Sequence, residues 1–558
     1  MNQLILLLPG LPLLSALLMH LSAPILGRHV AQISLIAGGL TFILAFGLLL
    51  VSLSGAEASV QTLGQSWGSL LYDPLSILMS AVIAGISFIV HVYSVRYMAE
   101  EAGYARFFIL LDLMTAALLV MVAAGDLITL IVAWHLIGIL LYFLLAHDTR
   151  SRPASRYAFW TFFTYRIGDL PLVLAAILLY QAFDTWSLSA IFAGFAQQPE
   201  ITTLYGLSLA EVVGALIAFA AFARSAQFLL HTWLPYTMAG PTPVSALMHA
   251  GIVNAGGFLI NRFAPVYMHS GDALHWVFIV GLVTSVIGSV LMLTQNDIKK
   301  ALGYSTMGQM GFMIMECGVG AFSLAIFHLI AHGLFKGTLF LSAGSVIHEA
   351  RQRDSVPKDD IYTFIVERRP ARSRQPWLLM AAITLTVPII VFAAAHWLVA
   401  GDFFQKQGAV VLLFFGWVTG AQLLFSSYRM PTQNLWRLIS MIMFSFAVVV
   451  LGYTLISHAF DLFLYPDAAM RYQIYAAAGI DFFWFVIFMS IVTCVIVFGW
   501  LLTYYTERRQ QSHQRHGHLW MNFYAMVSRE FYVIDFYSWL TRSLLGFAAR
   551  LNLWMRWL

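Results

Sequence analysis

Stretches of about twenty apolar residues recur along almost the whole chain, and this decides what it can fold into. Runs long enough to cross a ~30 Å hydrocarbon layer fall near 4–22, 32–53, 72–95, 107–124, 127–146, 157–181, 208–230, 242–265, 275–294, 299–318 and 321–347. After a charged loop they resume near 377–398, 409–427, 435–457 and 481–504, and a last amphipathic run covers 532–556. A soluble domain carries about 25% charged residues, whereas here the share is 10%, with 60% hydrophobic. Such a chain lacks the polar surface to cover itself in water, so the bilayer is its solvent. The expected fold is all-α and polytopic, with about fourteen to sixteen transmembrane helices.

The N-terminus begins apolar without a basic leader and reads as a retained first span. With that end placed outside, loops on the cytoplasmic side hold 20 Lys and Arg and the opposite loops only Arg262, Lys406 and Arg471. Loops 54–71 and 182–207 carry none. A wrong helix count would scramble this asymmetry, which predicts a multi-pass protein with a periplasmic N-terminus. The net charge of +4 is scattered over short loops and forms no basic face, which argues against nucleic acid as a partner. Cys317 and Cys494 suit neither a disulfide framework nor a zinc site and read as small apolar fillers. No zinc-ligand spacing, glycine-rich nucleotide loop or flavin motif is present, so no cofactor is expected.

Arg166, Arg224 and Lys336 fall inside predicted spans. A charge at the bilayer centre costs about 2.5–3.5 kcal/mol on insertion scales, so such residues face an interior cavity and mark a pathway. In HLIAHGLFKG, residues His328, His332 and Lys336 are spaced four apart, on one face of one helix. Groups that exchange protons near neutral pH, stacked in a column, suit a proton relay. The same column also fits three separately hydrogen-bonded side chains that join helices, although hydroxyls or amides would do that without a charge. In FARSAQFLLHTWLPYTMAGPTPVSALMHAG, Arg224 is followed by Pro235, Pro241 and Pro243 and then by His249. Prolines there free backbone carbonyls, which is tolerated at membrane depth where the break lines a cavity or is buried in protein. A simple kink is the alternative. Arg166 and Asp169, three apart, could form a static ion pair or tune a neighbouring site. His135, Glu316 and His396 are lone ionisable residues in apolar helices; a carboxylic acid such as Glu316 must pair there or stay protonated.

The segments TYRIGD, SAQFLLHTWLPYTMAGPTPVSALMHAG, NDIKKALGYSTMGQMGFM and IFHLIAHGLFKGTLFLSAGSVIH, in this order, resemble the proton-antiporter-like membrane subunits. That family includes subunit L of respiratory complex I and the large subunit of Mrp-type antiporters. The resemblance covers about residues 70–350, with a weaker match at REFYVIDFY. It implies two inverted five-helix repeats, each with a broken helix, here near 208–240 and 377–405, around a hydrophilic axis in the membrane plane. The implied division is 1–100 N-terminal helices, 101–270 first repeat, 271–430 second repeat and 431–558 C-terminal helices with an amphipathic segment. Lys336 falls on the family's central lysine, His249 on the histidine after the first break, and Arg166 and Asp169 on the sixth-helix pair. The chain departs from the pattern at Trp134-His135, where the family has Trp-Glu, and at Arg224, where it has lysine. Arginine barely deprotonates, so Arg224 reads as a fixed charge. The second break lacks its usual motif and holds only His396. These departures resemble the DabB-type branch, the membrane subunit of the energy-coupled inorganic carbon transporter. That branch implies a heteromeric complex in the bacterial inner membrane with a DabA-type, zinc-containing, carbonic-anhydrase-like partner, protons as the driving ion and no enzymatic chemistry in this chain. Complex I-like redox pumping and Mrp-type cation/proton exchange are the competing readings.

Overall fold

A computed structural model describes residues 2–55, 59–62, 68–203, 206–237, 240–295, 297–352, 435–480 and 525–556, with a few isolated helical positions besides. Helices α1 (Asn2–Leu26) and α2 (Val30–Leu53) form a hairpin closed by a short turn at Gly27–His29. Gly27 sits at φ +54°, in the left-handed region open to glycine. Next come an antiparallel ribbon of β1 (Ser59–Thr62) and β2 (Ser69–Tyr72), then α3 (Pro74–Tyr97), α4 (Tyr104–Val122), α5 (Leu127–Leu145) and α6 (Arg152–Phe183). Polar residues set where these helices begin. Asp73, Asp126 and Ser151 cap the first turns of α3, α5 and α6 by accepting from backbone N–H groups, and Pro follows at the start of α3 and α6. Asp126 also accepts from the backbone and hydroxyl of Ser69, at 2.7 and 2.9 Å, tying the ribbon to α5.

Short α7 (Leu188–Gln197) precedes α8 (Leu209–Arg224), which stops at Arg224. The chain resumes as α9 (Trp233–Tyr236), α10 (Thr242–Leu247), a π-helical turn at Met248–Ile252, α11 (Ala255–Arg262) and α12 (Ala264–Tyr267). Helices α13 (Gly271–Leu293), α14 (Ile298–Gly318) and α15 (Phe322–Gln352) follow, then α16 (Leu435–Leu464), α17 (Ala468–Ala477) and α18 (Val533–Met555). Helices α13 and α14 pack backbone against backbone: a Cβ on Gly281 would run into Met315 and Gly311, the close approach that small residues allow between membrane helices.

Among the described residues, seven stretches are long and apolar enough to cross a bilayer, the first of them holding both α1 and α2. Bulky apolar side chains such as Leu21, Ile36, Ile43 and Leu170 point outward, as they do where lipid is the neighbour. Within the described residues the sequence-predicted spans coincide with helices, and three features differ from expectation. The ribbon and α7 occupy loops whose sequence signals only a lack of Lys and Arg. The span near 208–230 ends at Arg224, and the run near 242–265 is four pieces. Arg262, expected in a loop, is buried in α11. The second break, with His396, and the spans near 377–398, 409–427 and 481–504 lie outside the described residues.

Arg262 grips Asp73 with both terminal nitrogens, at 2.5 and 3.2 Å, and also donates to Ser76 and the Val122 carbonyl. This staples the start of α3 to the end of α11. Burial pushes the Asp73 carboxyl up, but the Arg262 charge and the hydrogen bonds outweigh it and hold the group below its ordinary value. A depressed carboxyl contributes stability that is present above the ordinary carboxylate range and lost as pH falls through the lowered value. The expected result is a melting temperature in detergent that is flat with respect to this pair from neutral pH down to about 4 and falls below it. Asp73→Asn should remove that acid-dependent component; an unchanged acid profile in the variant would count against the staple.

Candidate functional site

Two clusters of ionisable groups, running from exposed His135 to fully buried members, flank the break in α8. The first is built on α15. His328, His332 and Lys336 point the same way, and at 1.5 Å per residue they climb about 12 Å along the axis. At the foot, His328 Nδ1 is 3.0 Å from Glu316 Oε2 and its Nε2 is 3.0 Å from Gln309 Oε1, both on α14. The His328 and His332 rings are 6.3 Å apart. At the head, Lys336 donates to Ser305 Oγ at 2.9 Å and lies 3.5 Å from the Leu302 carbonyl. His249 enters from the π-helical turn and stacks on Phe340 at 4.3 Å, one helical turn beyond Lys336 on the same face. π-turns inside helices are frequent at functional sites. Lys336, His332, His249 and Glu316 are all buried. His332 lies within electrostatic reach of His328, Lys336 and His249. Neither ring nitrogen of His249 or His332 has a hydrogen-bond partner among the described residues. Side chains that join helices are ordinarily paired, and among the described residues these two rings are not.

The second cluster joins α5, α6 and α8. Asp169 Oδ2 lies 2.8 Å from Arg166 and 3.0 Å from His135 Nδ1, and its Oδ1 is 3.8 Å from Arg224. The Arg166–Asp169 pair is therefore no isolated i,i+3 bridge but the centre of a four-residue group. The Arg224 guanidinium donates to the Trp134 carbonyl and lies over the Trp134 and Tyr165 rings, 4.5 and 4.1 Å from their centroids. One carbonyl and two ring faces hold this guanidinium in place. Half of the His135 side chain is accessible (47%) while Arg224 is 1% accessible, so the cluster runs from the lateral surface to the interior.

Between the clusters the backbone is distorted. Ala226 and Leu229 sit at φ +49° and +72°, conformations that cost non-glycine residues of order 1–3 kcal/mol each and persist only where surroundings enforce them. Gly256 permits the enforcement: a Cβ there would strike Ser225 and the Ala221 carbonyl. The freed Ala223 carbonyl accepts from Trp233 Nε1 at 3.2 Å. His231, inside the break, is fully buried and neither of its ring nitrogens has a partner among the described residues. Sequence reasoning passes over His231, although it stands in HTWLP next to the prolines that signal the break. It also passes over Ser305, Gln309 and Tyr304, polar side chains whose spacing on α14 carries no signal until α15 is packed against it.

A third buried group lies in the N-terminal helices. Asp112 accepts from Ser15 and Ser34, at 2.6 and 3.0 Å, and His91 Nε2 is 2.9 Å away. Both of its oxygens are satisfied, which marks it as a clamp between α1, α2, α3 and α4. Cys317 is buried beside Asn261. Among the described residues no His/Cys/Asp/Glu group could hold a metal ion.

A helical membrane body, a helix broken at a buried cation, and a column of ionisable side chains together define an antiporter-like, proton-translocating membrane subunit. Residues 124–424 match the family model described as NADH:quinone oxidoreductase/Mrp antiporter, and residues 59–108 match that of the complex I chain 5 N-terminus; the chain belongs to this family. It is 58% identical over 99% of both chains to the probable inorganic carbon transporter subunit DabB1 of Halothiobacillus neapolitanus. The NAD(P)H-quinone oxidoreductase chain 5 of Picosynechococcus is 33% identical over 76% of this chain, which spans 66% of that relative's length. Among solved structures, the Mrp complex from Dietzia superimposes with a TM-score of 0.60 at 23% identity, over 98% of this chain and 60% of that one. The archaeal membrane-bound sulfane sulfur reductase does so with 0.59 at 19%, over 86% and 100%. These two share the fold.

Proposed function

We propose that this chain is the proton-conducting membrane subunit through which the proton motive force drives inorganic-carbon uptake, in a heteromeric complex with a DabA-type, carbonic-anhydrase-like subunit that holds the zinc. The supporting observation is the 58% identity with an inorganic carbon transporter subunit, sustained over 99% of both chains. By contrast, this chain spans 66% of the first quinone oxidoreductase relative and 57% of the next. The departures at His135 and Arg224 point the same way. In this reading the Lys- and Arg-rich loops face the cytoplasm of a bacterium. Protons enter by a half-channel, pass His249 and the His328–His332–Lys336 column, and leave on the basic side. The Arg166–Asp169–His135–Arg224 group sets the field, with Arg224 as its fixed charge. One charge crossing ~100 mV releases about 2.3 kcal/mol, a bias of roughly fiftyfold on a coupled step. Applied to the partner, that bias makes hydration of carbon dioxide one-way, so bicarbonate accumulates.

The test is purification of this chain from its native membrane, with uptake of radiolabelled bicarbonate into cells expressing both subunits. A co-purifying carbonic-anhydrase-like protein, and uptake that requires both chains and collapses with a protonophore, are expected. Co-purification of quinone or iron–sulfur subunits would move the chain to redox pumping. Uptake that follows a sodium gradient and ignores the protonophore would reassign the ion.

A further inference from the structure

The described C-terminal residues are folded against the break in α8, and they insert a carboxylate into it. At Glu530, Phe531 and Tyr532 three consecutive non-glycine residues adopt left-handed φ values of +57°, +54° and +61°. L-residues take that conformation one at a time, not in runs, so contacts on all sides must hold this turn. The Phe531 ring meets Phe228 at 6.2 Å, edge to face. Tyr537 donates to the carbonyl of Leu229, the strained residue of the break, at 2.9 Å. Trp160 and Arg156 of α6 donate to Thr541 and Ser538. Together these contacts drive Glu530 into the protein, where it is only 3% accessible.

Glu530 Oε1 accepts from the Tyr236 hydroxyl at 2.8 Å. Lys300, partly accessible, donates to the same hydroxyl at 3.1 Å and stands 4.0 Å from Glu530. Tyr304 faces Glu530 from α14, and its ring lies 6.4 Å from that of His231. Glu530 Oε2, the Tyr304 hydroxyl and both His231 nitrogens lack a hydrogen-bond partner of ordinary geometry among the described residues. Burial raises the Glu530 carboxyl above its ordinary value, against the opposing pull of Tyr304, Tyr236 and Lys300. Arg529, beside it in sequence, lies instead over the ring of Tyr532, 5.8 Å from its centroid.

We infer that Glu530 is the proton-transfer group at the basic-side mouth of the break, exchanging protons with His231 through the tyrosine hydroxyls. This rests on the proton-conducting reading above. In one direction, the neutral Glu530 gives its proton to a tyrosine oxygen as that hydroxyl passes its own proton, across a bridging water, to a His231 nitrogen. Imidazolium forms, the tyrosine stays neutral, and the carboxylate left behind is reprotonated from the basic-side solution past Lys300. The reverse sequence releases a proton.

The experiment uses the full chain, co-purified with its partner and reconstituted in vesicles with a trapped pH dye and an imposed potential. Glu530→Gln should lower proton flux by about a hundredfold, the scale of one positioned proton-transfer group. Glu530→Asp should retain much of the flux, and formate, a small diffusible acid, should restore it to Glu530→Ala. A structural role alone would give no rescue by formate. Wild-type flux in Glu530→Gln, with Lys336→Ala silent, would overturn the role of Glu530 and leave the conducting reading intact. Wild-type flux in both variants would overturn that reading too. Loss of flux accompanied by a lowered melting temperature, with no rescue, would reduce Glu530 to a docking residue.

Discussion

Lys336→Ala is expected to abolish the proposed bicarbonate uptake, by at least about a hundredfold, while the complex still assembles and reaches the membrane. Lys336 stands at the head of the α15 column, where its side-chain hydrogen bond goes to Ser305. Truncation therefore removes the ionisable group without leaving an opposite charge buried alone. Unaltered flux in Lys336→Ala would exclude the column as the proton route. Lys336→Arg separates charge from proton transfer: it keeps the cation, but a guanidinium does not release its proton in this range. The arginine variant should be nearly as inactive as the alanine one. His332→Ala, which removes a ring between His328 and Lys336 that has no hydrogen-bond partner among the described residues, should lower flux with little loss of stability. Flux measured in vesicles and melting temperature measured in detergent keep the two effects apart.

Asp169→Asn should have the largest effect on stability, about 3–5 kcal/mol, the usual result of removing one member of a buried ion pair. The carboxylate serves Arg166, His135 and Arg224 at once, and its loss leaves two guanidinium groups without a counter-charge among the described residues. Arg224 retains the Trp134 carbonyl and two ring faces, which do not neutralise it. A second change, Arg224→Met in the Asp169→Asn background, should recover part of the stability by removing the stranded cation. Thermal unfolding of the purified complex reads both effects. An Asp169→Asn variant that melts like wild type would show that the group is already neutral or hydrated. No recovery on adding Arg224→Met would show that Arg224 is held by packing, not by charge.

The column and the break are legible in the sequence because local rules generate them. Spacing of four puts His328, His332 and Lys336 on one helix face whatever surrounds it, and prolines interrupt a helix by removing a donor. Arg262 misleads for the converse reason. A charged residue near a helix end looks like a loop residue until Asp73, almost two hundred positions earlier, is folded against it. Glu530 is equally hidden, since nothing in REFYVIDFY says that a left-handed turn will press its glutamate beneath Tyr236.

By itself the sequence determined the solvent, the recurrence of spans, the position of the first break and the existence of ionisable residues that hydrocarbon would reject. Those follow from the transfer cost of each side chain and from helical periodicity, both local quantities. Only the tertiary structure decided which of those residues meet. It gathered Asp169 between Arg166, His135 and Arg224, stacked His249 on the face that carries Lys336, and left the nitrogens of His231, His249 and His332 without partners among the described residues. Pairing depends on which helices become neighbours, and close approaches such as that of α13 to α14 at Gly281 settle this through packing between whole helices, which no single residue's preference encodes.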